Sequence, residues 1–252
     1  MKAVSLPGTN CYTACVLSVA QHFGIAYAPA FSDLWSETDF RYEKDFSVYA
    51  SRRLTENLAG LGLSLRRVAP SLSAEAIGKE PTPIDGTTAI AGADAFFIPW
   101  SPIYALAHEK HFFIIQKLDA ETLSCSDPAY QREDIRIAAK NIVPHLFDLR
   151  YAVPTAGRLR ELPPSREAKT ILRAHPAAKR ILGNRIASGG QQELLLLGRY
   201  ADAMIRNRQL YRHYLNSAAH AHGFDKAYFD RWQCLKNGLF KAHLLNKRNA
   251  VL

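Results

Sequence analysis

The spacing of apolar residues in the first part of the chain alternates between a helical period and an extended one. Residues 12–23 repeat their apolar positions at helical spacing, and Gly24 marks the end of that helix. A second helix is expected over 46–62, and residues 63–69 have the composition of a strand. The sequence also predicts a short helix over 72–77.

The middle of the chain has the pattern of an antiparallel sheet. Residues 95–99 form a short aromatic run ended by a proline, which predicts a strand. Segments 112–118 and 122–126 flank a turn-like Asp-Ala-Glu, so a β-hairpin is the simplest interpretation. The stretch that follows, 131–140, is predicted to be helical.

The last part of the chain changes to helical spacing. Proline and glycine residues between 154 and 164 mark a connector. Beyond it, the apolar pattern predicts helices over 165–182, 190–217 and 225–245. The sequence therefore predicts an α+β protein in which a sheet-bearing part precedes a helical one.

The charge is distributed unevenly between these two parts. The 252 residues carry a net charge of +9. Residues 1–150 contain 14 Lys and Arg against 17 Asp and Glu, whereas residues 151–252 contain 18 against 6. We therefore expect a first domain over 1–150 and a basic helical domain or extension over 151–252 packed on it. Its net charge of +12 favours an acidic partner.

The composition is that of a globular protein, with 48% apolar and 22% charged residues. No apolar run approaches the roughly 20 residues that span a bilayer, and the N-terminal segment has no apolar export signal. We therefore expect a cytoplasmic protein that has no contact with a membrane. In that compartment the four cysteines, which show no CxxC spacing, should be reduced.

One cysteine stands where a helix begins. Cys11 follows Gly8-Thr9-Asn10 and directly precedes the first predicted helix. A helix N-terminus carries partial positive charge and unpaired N–H groups, which stabilise a thiolate and can hold an oxyanion. The position is typical of an activated cysteine, with a buried packing role as the alternative. Cys15, Cys125 and Cys234 are expected to be packing residues.

A histidine and an aspartate stand at the open end of the predicted hairpin. If its turn centres on residue 119, His111 pairs with Asp127. An aspartate beside the imidazole would fix its tautomer and favour a Cys–His ion pair. Cys11, His111 and Asp127 are therefore the candidate catalytic residues. The alternatives are that the histidine only begins a strand, that the aspartate only starts an Asp-Pro turn, or that His108 is the base.

Other reaction centres find little support in the sequence. His108 and His111 are three residues apart, but no third ligand stands at a useful spacing, so no metal site is expected. There is no glycine-rich phosphate loop and no GxSxG elbow. Nucleic-acid binding ranks last, because no recognition motif accompanies the basic residues that could contact phosphates. These residues are Arg199, Arg206, Arg208 and Arg212.

The residues around these candidates resemble a known family. The segments GTNCYTACVLSVAQHFGI and DAFFIPWSPIYALAHEKHFFIIQKLDAETLSCSDPAY are similar to the papain-like N-terminal domain of the butirosin biosynthesis protein H family. The Cys, His and Asp-Pro elements are also similar to those of C39-like peptidases. The resemblance implies a papain-like catalytic domain over 1–150, with a Cys-bearing N-terminal helix and an antiparallel sheet. The family's order is matched by Asp94, Pro99, Tyr104, His111, Asp127 and Pro128.

The resemblance also implies a reaction. An acyl or aminoacyl group would pass from the phosphopantetheine thioester of a carrier protein to a small amine, in secondary-metabolite biosynthesis. Cys11 would hold the acyl group as a thioester, and His111 would deprotonate the amine. The protein would bind no cofactor itself, because the carrier supplies the phosphopantetheine arm. An acidic acyl or peptidyl carrier protein would dock on the basic C-terminal half.

The same three residues leave other activities open. A C39-like cysteine peptidase or peptide cyclase is one alternative, and a thioesterase that releases the acyl group to water is another. No papain-like glutamine precedes Cys11, so its backbone N–H is the oxyanion donor we predict, with Asn10 as a weaker candidate. Asn10, Tyr12, Trp100 and Tyr104 are expected to bind substrate, although each of the three aromatic residues could instead belong to the core.

Overall fold

The structure is a computed structural model that describes residues 1–34, 46–68, 88–118, 121–155, 184–187, 190–220 and 222–245. It combines helices with an antiparallel sheet, which confirms the predicted α+β class. No helix within these ranges is long and apolar enough to cross a membrane.

The chain forms two compact units. Unit 1 contains Met1–Tyr27 and Thr55–Glu161, and unit 2 contains Ala28–Leu54 and Leu162–Leu252. This division differs from the boundary that the sequence predicts at residue 150. An early segment of the chain groups with the C-terminal part, and a strand of unit 1 runs across residue 150.

Unit 1 is built around a six-stranded antiparallel sheet. The strands are β1 Leu63–Arg67, β2 Ala89–Asp94, β3 Lys110–Leu118, β4 Thr122–Asp127, β5 Arg132–Ala138 and β6 Leu146–Pro154. Their order across the sheet is β1-β6-β2-β3-β4-β5. Helix α1, Cys11–His22, packs against β3 and β2. Helix α2, Phe46–Gly60, precedes β1, and the short helix α3, Ala139–Ile142, follows β5.

Helix α1 begins at Cys11 because of the residue before it. The Asn10 side chain accepts a hydrogen bond from the Thr13 N–H (2.8 Å), and the Thr13 hydroxyl oxygen accepts one from the Asn10 N–H (2.7 Å). This capping box satisfies N–H groups that the first turn leaves without partners. Gly24, with φ of 70°, takes the left-handed conformation beyond the other end. The helix predicted over 12–23 is therefore confirmed.

Several other predicted elements are confirmed with small changes in their bounds. Helix α2 corresponds to the helix expected over 46–62, and β1 to the strand expected over 63–69. Strands β3 and β4 form the expected hairpin. The helices predicted over 72–77 and 165–182 lie outside the described residues.

The strand predicted over 95–99 is wrong. The strand is β2, which ends at Asp94, and Ala95–Phe97 form a 3-10 turn. The Asp94 carboxylate accepts a hydrogen bond from the Phe96 N–H at 3.0 Å, which stabilises this turn. The strand therefore stops where an aspartate caps the next turn, before the aromatic run begins.

Strand β2 has small residues at most of its positions and lies between two strands that carry aromatic side chains. It is paired with β3 on one side and with β6 on the other, and it is buried along almost all of its length. A β-carbon at Gly92 would lie only 2.7 Å from ring atoms of Phe112 and Phe147. The aromatic rings of the neighbouring strands therefore fill the space that larger side chains would need.

The helix predicted over 131–140 is also wrong, because most of this stretch is β5. Ile135 and Ile137 pack with the core of the sheet, whereas the charged residues between and before them are exposed. This alternation has the period of a strand. Pairing with β4 gives the segment its backbone hydrogen bonds, so the helix is not formed.

The sequence does not predict strand β6, which lies between β1 and β2. No element is predicted over 146–153, where charged residues lie, and Pro154 is predicted to begin a connector. Those charges are paired within the fold: the buried Asp148 carboxylate accepts hydrogen bonds from Arg67 Nε (3.0 Å) and Arg150 Nε (2.8 Å). A charged residue can therefore lie in a central strand here because its partners lie beside it.

Unit 2 contains two long helices, α4 Gln191–Ser217 and α5 Lys226–Leu245, which confirm the helices predicted over 190–217 and 225–245. The two helices pack against each other. Cys234 on α5 is exposed, so its predicted packing role is wrong. One shared apolar cluster contains Leu194, Leu197, Ala201, Leu239 and Ala242.

Candidate active site

The β3–β4 hairpin brings His111 and Asp127 together, although in a register that differs from the predicted one. Ile114 pairs with Ser126 and Ile115 with Cys125, which is a shift of two residues from the expected alignment. The predicted pairing of His111 opposite Asp127 is therefore wrong. Because side chains alternate faces with a period of two, a two-residue shift keeps both side chains on one face. His111 Nε2 lies 2.7 Å from Asp127 Oδ2.

The Asp127 carboxylate is fully buried and held by three donors. Its Oδ2 accepts hydrogen bonds from His111 Nε2 and from the Trp100 indole N–H, the latter at 2.8 Å. Its Oδ1 accepts the Tyr130 backbone N–H at 3.2 Å. A buried carboxylate is costly unless its oxygens are hydrogen-bonded. The donors from Trp100 and Tyr130 also fix the orientation of the carboxylate, independently of the imidazole.

His111 is an almost fully buried imidazole, with 5% of its surface exposed. Its ring stacks on Tyr130, with the ring centres 4.6 Å apart and nearly parallel planes. Burial opposes its positive charge, but the hydrogen bonds and charges of Asp127 and Cys11 outweigh burial and raise the pKa of His111 to about 9. The imidazole is therefore held as a cation at neutral pH.

Cys11 is the third member of this chain of contacts. Burial acts to raise the pKa of the thiol, but the hydrogen bond and charge of His111, with the backbone amides of Phe112 and Tyr12, lower it overall. Since Asp127 occupies Nε2 of the imidazole, Nδ1 is the nitrogen left for the sulfur. Both pKa shifts favour a thiolate–imidazolium pair, and Cys11 is half-buried.

The other three cysteines lie in different surroundings. Cys15 and Cys125 are buried, as predicted, and burial raises the pKa of both thiols, that of Cys125 to about 12. Cys234 is exposed on α5. Within the described residues, Cys11 is thus the cysteine whose thiolate is stabilised by a histidine.

His108, the alternative base, lies in a separate pair. Its Nδ1 is 2.7 Å from Asp94 Oδ2, its ring stacks on Phe96, and its side chain is 68% exposed. This pair joins the two ends of the loop between β2 and β3, since Asp94 precedes the loop and His108 lies near its end. The imidazole that is hydrogen-bonded to Cys11 is that of His111.

The residues expected to bind substrate fall in different places. Asn10 is the cap of α1, and Tyr12 is buried, with its hydroxyl accepting a hydrogen bond from Arg150 Nη1 at 2.8 Å. Trp100 is half-buried and holds Asp127. Tyr104 is 48% exposed in the loop that follows. Asn10 and Tyr12 therefore form contacts that stabilise the fold, and Trp100 hydrogen-bonds the Asp127 carboxylate.

Two supports of the site are not predicted from the sequence. Tyr130 supplies both the ring under His111 and the amide on Asp127. A turn in which an aspartate accepts an amide three residues later is a known signature, so the Asp-Pro-Ala-Tyr sequence carries a usable signal. Asp148 and Arg150, which hold Tyr12, come together only through sheet pairing and leave no local signal.

Among the residues that the structure describes, no group of three or more His, Cys, Asp or Glu side chains is placed to hold a metal ion. The chain matches no protein-family model, and a search of curated proteins finds no match. The function is therefore argued from the geometry of the Cys11, His111 and Asp127 side chains.

Proposed function

We propose that the protein is a cysteine-dependent acyltransferase that carries its acyl group on Cys11. The observation that supports it is the continuous chain from the thiol through His111 to the buried Asp127, with a lowered thiol pKa at one end and a raised imidazole pKa beside it. A thiolate next to an imidazolium is a ready nucleophile with its acid already in place. Such a pair suits transfer from one activated acyl compound to another acceptor.

The two half-reactions follow from these charges. The Cys11 thiolate attacks the donor thioester carbon, and the donor's C–S bond breaks as the departing thiolate takes the proton of the His111 imidazolium. The imidazole is then neutral. It accepts a proton from the acceptor amine as the nitrogen attacks acyl-Cys11, and the Cys11 thiolate leaves. The ion pair is restored, and an amide is released.

The tetrahedral intermediates need a donor for their oxyanion. We assign this role to the backbone N–H of Cys11, because first-turn amides of a helix have no partner within the helix. The capping box of Asn10 and Thr13 holds that turn in place. The partial positive charge at the N-terminus of α1 then stabilises both the thiolate and the developing oxyanion.

The donor we propose is an acyl thioester on the phosphopantetheine arm of an acidic carrier protein. The resemblance to the papain-like domain of the butirosin biosynthesis protein H family supports this choice. The net charge of +12 over residues 151–252 supports an acidic partner for that part of the chain. The same resemblance supports a small amine as acceptor and a papain-like architecture for unit 1.

Intact-mass analysis tests the proposal. We expect the wild-type protein, incubated with an acyl-carrier thioester, to gain the mass of the acyl group, and Cys11→Ser to gain none. Cys234→Ser is the matched control, because it removes an exposed thiol from unit 2; it should acylate like the wild type.

Addition of an amine should discharge the adduct as an amide. Discharge to free acid at the same rate with and without amine would make the protein a thioesterase, and cleavage of peptides without any acyl-carrier adduct would make it a peptidase. Either outcome contradicts the transferase proposal.

A further inference from the structure

A cavity of about 520 Å³ opens beside Trp100 in unit 1. One wall is the loop Pro99–Pro102, and the other is β5, the outermost strand of the sheet. The apolar part of the lining includes the Trp100 ring, Ile135 and Ile137. Sites for small molecules commonly have about 300–1,000 Å³ and a mostly apolar lining with a few polar groups, so the cavity has the size of a ligand site.

Two arginines give the cavity its charge. Arg132 and Arg136 line it from β5, and none of the residues that line it is acidic. Neither guanidinium forms an ion pair with a carboxylate of the described residues. Glu133, between them in sequence, instead accepts the Ala3 N–H. The two positive groups therefore remain available to an anion.

The buried Ser101 adds a further polar group to the lining. Its hydroxyl oxygen accepts the Ile103 N–H at 3.3 Å, which leaves the hydroxyl hydrogen to be donated. The lining side chains thus offer three hydrogen-bond donors: two guanidinium groups and a hydroxyl. That inventory matches a group of acceptor oxygens.

The cavity adjoins the acid end of the candidate active site. Trp100 lines the cavity, and its indole N–H is donated to Asp127 Oδ2. Arg132 also pairs with Asp127 in the register of β4 and β5. A ligand in the cavity would therefore lie one side chain away from the carboxylate that holds His111.

We propose that this cavity is an anion-binding subsite for the substrate of Cys11. It binds a phosphate or carboxylate carried by an organic group, with Arg132 and Arg136 on the oxygens and Trp100 and Ile135 against the apolar part. Guanidinium groups bind both anions through paired N–H donors. The inference rests on the proposed function, in which the anion is either the phosphate of the donor arm or a carboxylate on the acyl group.

The test compares four donors that differ only in these two groups. They are butyryl and succinyl thioesters of pantetheine and of 4′-phosphopantetheine, and the measurement is the second-order rate of Cys11 acylation by intact mass. The variant is R132Q/R136Q. The control is R66Q/K140Q, which removes the same charge from two exposed positions elsewhere in unit 1. A third variant, R132K/R136K, keeps the positive charge but lacks the paired N–H donors of a guanidinium group.

The wild type should prefer one anionic donor over its neutral counterpart by about tenfold, the size expected for charge-assisted hydrogen bonds. R132Q/R136Q should lose that preference, R132K/R136K should keep part of it, and R66Q/K140Q should match the wild type. A preference for the phosphorylated pair identifies the arm phosphate, and a preference for the succinyl pair identifies the acyl carboxylate. Equal rates for all four donors in the wild type and in R132Q/R136Q overturn the subsite.

A binding measurement separates this inference from the proposed function. If no donor acylates Cys11, the transferase proposal fails, and the subsite is then tested by titrating 4′-phosphopantetheine and succinate into Cys11→Ala by calorimetry. Saturable binding of either that is weakened by R132Q/R136Q supports the subsite. Lack of binding to Cys11→Ala, or binding that R132Q/R136Q leaves unchanged, contradicts it.

Discussion

At the scale of single residues, the site is a line of four side chains in which each one restrains the next. The Trp100 side chain fixes Asp127 with the help of the Tyr130 backbone N–H, Asp127 fixes the His111 tautomer, and His111 sets the charge of Cys11. A buried carboxylate with its oxygens satisfied is a stable support for an imidazolium. The reactivity of the sulfur therefore depends on a side chain that it does not touch.

Trp100→Phe tests that dependence. The ring volume is largely kept, but the N–H to Asp127 Oδ2 is lost, which should lower the free energy of unfolding by about 1–3 kcal/mol. The rate of Cys11 acylation should fall about tenfold, because the carboxylate can turn away from His111. Trp232→Phe, in unit 2, is the control and should leave that rate unchanged. A Trp100→Phe protein with the acylation rate of the wild type would show that this support does not matter.

At the scale of elements, the site depends on how α1 begins and on what holds it against the sheet. The capping box at Asn10 stabilises the start of the helix. Arg150 of strand β6 donates a hydrogen bond to the hydroxyl of Tyr12, which lies in the first turn of α1. Arg150 is in turn held by Asp148. The position of Cys11 is therefore set from both the preceding loop and the neighbouring sheet.

Replacement of the cap should weaken α1 at the point where Cys11 lies. Asn10→Ala leaves the Thr13 N–H without its side-chain acceptor and should cost about 1 kcal/mol of unfolding free energy, as measured by urea denaturation. Asn10→Ser, which preserves a capping oxygen, should restore most of it. Gln21→Ala, near the other end of α1, serves as the control. Equal stability of Asn10→Ala and the wild type would contradict the role of the cap.

Arg150→Met should detach β6 from α1. The variant removes the Arg150 donor from both the buried Tyr12 hydroxyl and the buried Asp148 carboxylate, at a cost of about 1–3 kcal/mol in unfolding free energy. Arg67→Met removes the other partner of Asp148, but Arg67 is 64% exposed. That variant should therefore cost at most about 1 kcal/mol. The reverse order of the two effects would contradict the network.

Elements with strong local signals can be predicted from this sequence, and those fixed by sheet pairing cannot. The capped helix at Cys11 and the two hairpin strands have such signals. The charged stretch of β5 offers only Ile135 and Ile137 as apolar positions, too short a pattern to indicate a strand before its pairing with β4 is known. Strand β6 is not predicted, because the contacts of Asp148 with Arg67 and Arg150 leave no signal in the local sequence. His111 and Asp127 can be identified because an error of two residues in register preserves the face of a strand.

At the scale of the whole molecule, the chemistry and the positive charge lie in different parts of the chain. The three candidate catalytic residues belong to unit 1, whereas residues 151–252 carry a net charge of +12. Under the proposed function, small donors need only the site, and carrier-bound donors also need the basic part. Electrostatic attraction between exposed charges weakens as salt screens it.

Ionic strength should therefore separate the two kinds of donor. The KM for a carrier-bound thioester should rise several-fold between low and physiological salt, because the docking charges are screened. The KM for the same acyl group on free pantetheine, which has no charged carrier, should change little in the same series. Parallel salt dependence for both donors would argue against docking of an acidic carrier on the basic part.

The central claim is that His111 holds the Cys11 sulfur as a thiolate, and the most direct measurement is the rate of Cys11 alkylation against pH. Peptide mapping of iodoacetamide-treated protein reports this rate for Cys11 alone. In the wild type, reactivity should persist well below the ordinary thiol pKa of about 8.5 and change again near pH 9, where His111 loses its proton.

In His111→Gln, burial without the imidazolium should move the half-point of Cys11 alkylation to or above the ordinary thiol value. Superimposable pH profiles for the two proteins, both with an ordinary thiol pKa, would contradict the account.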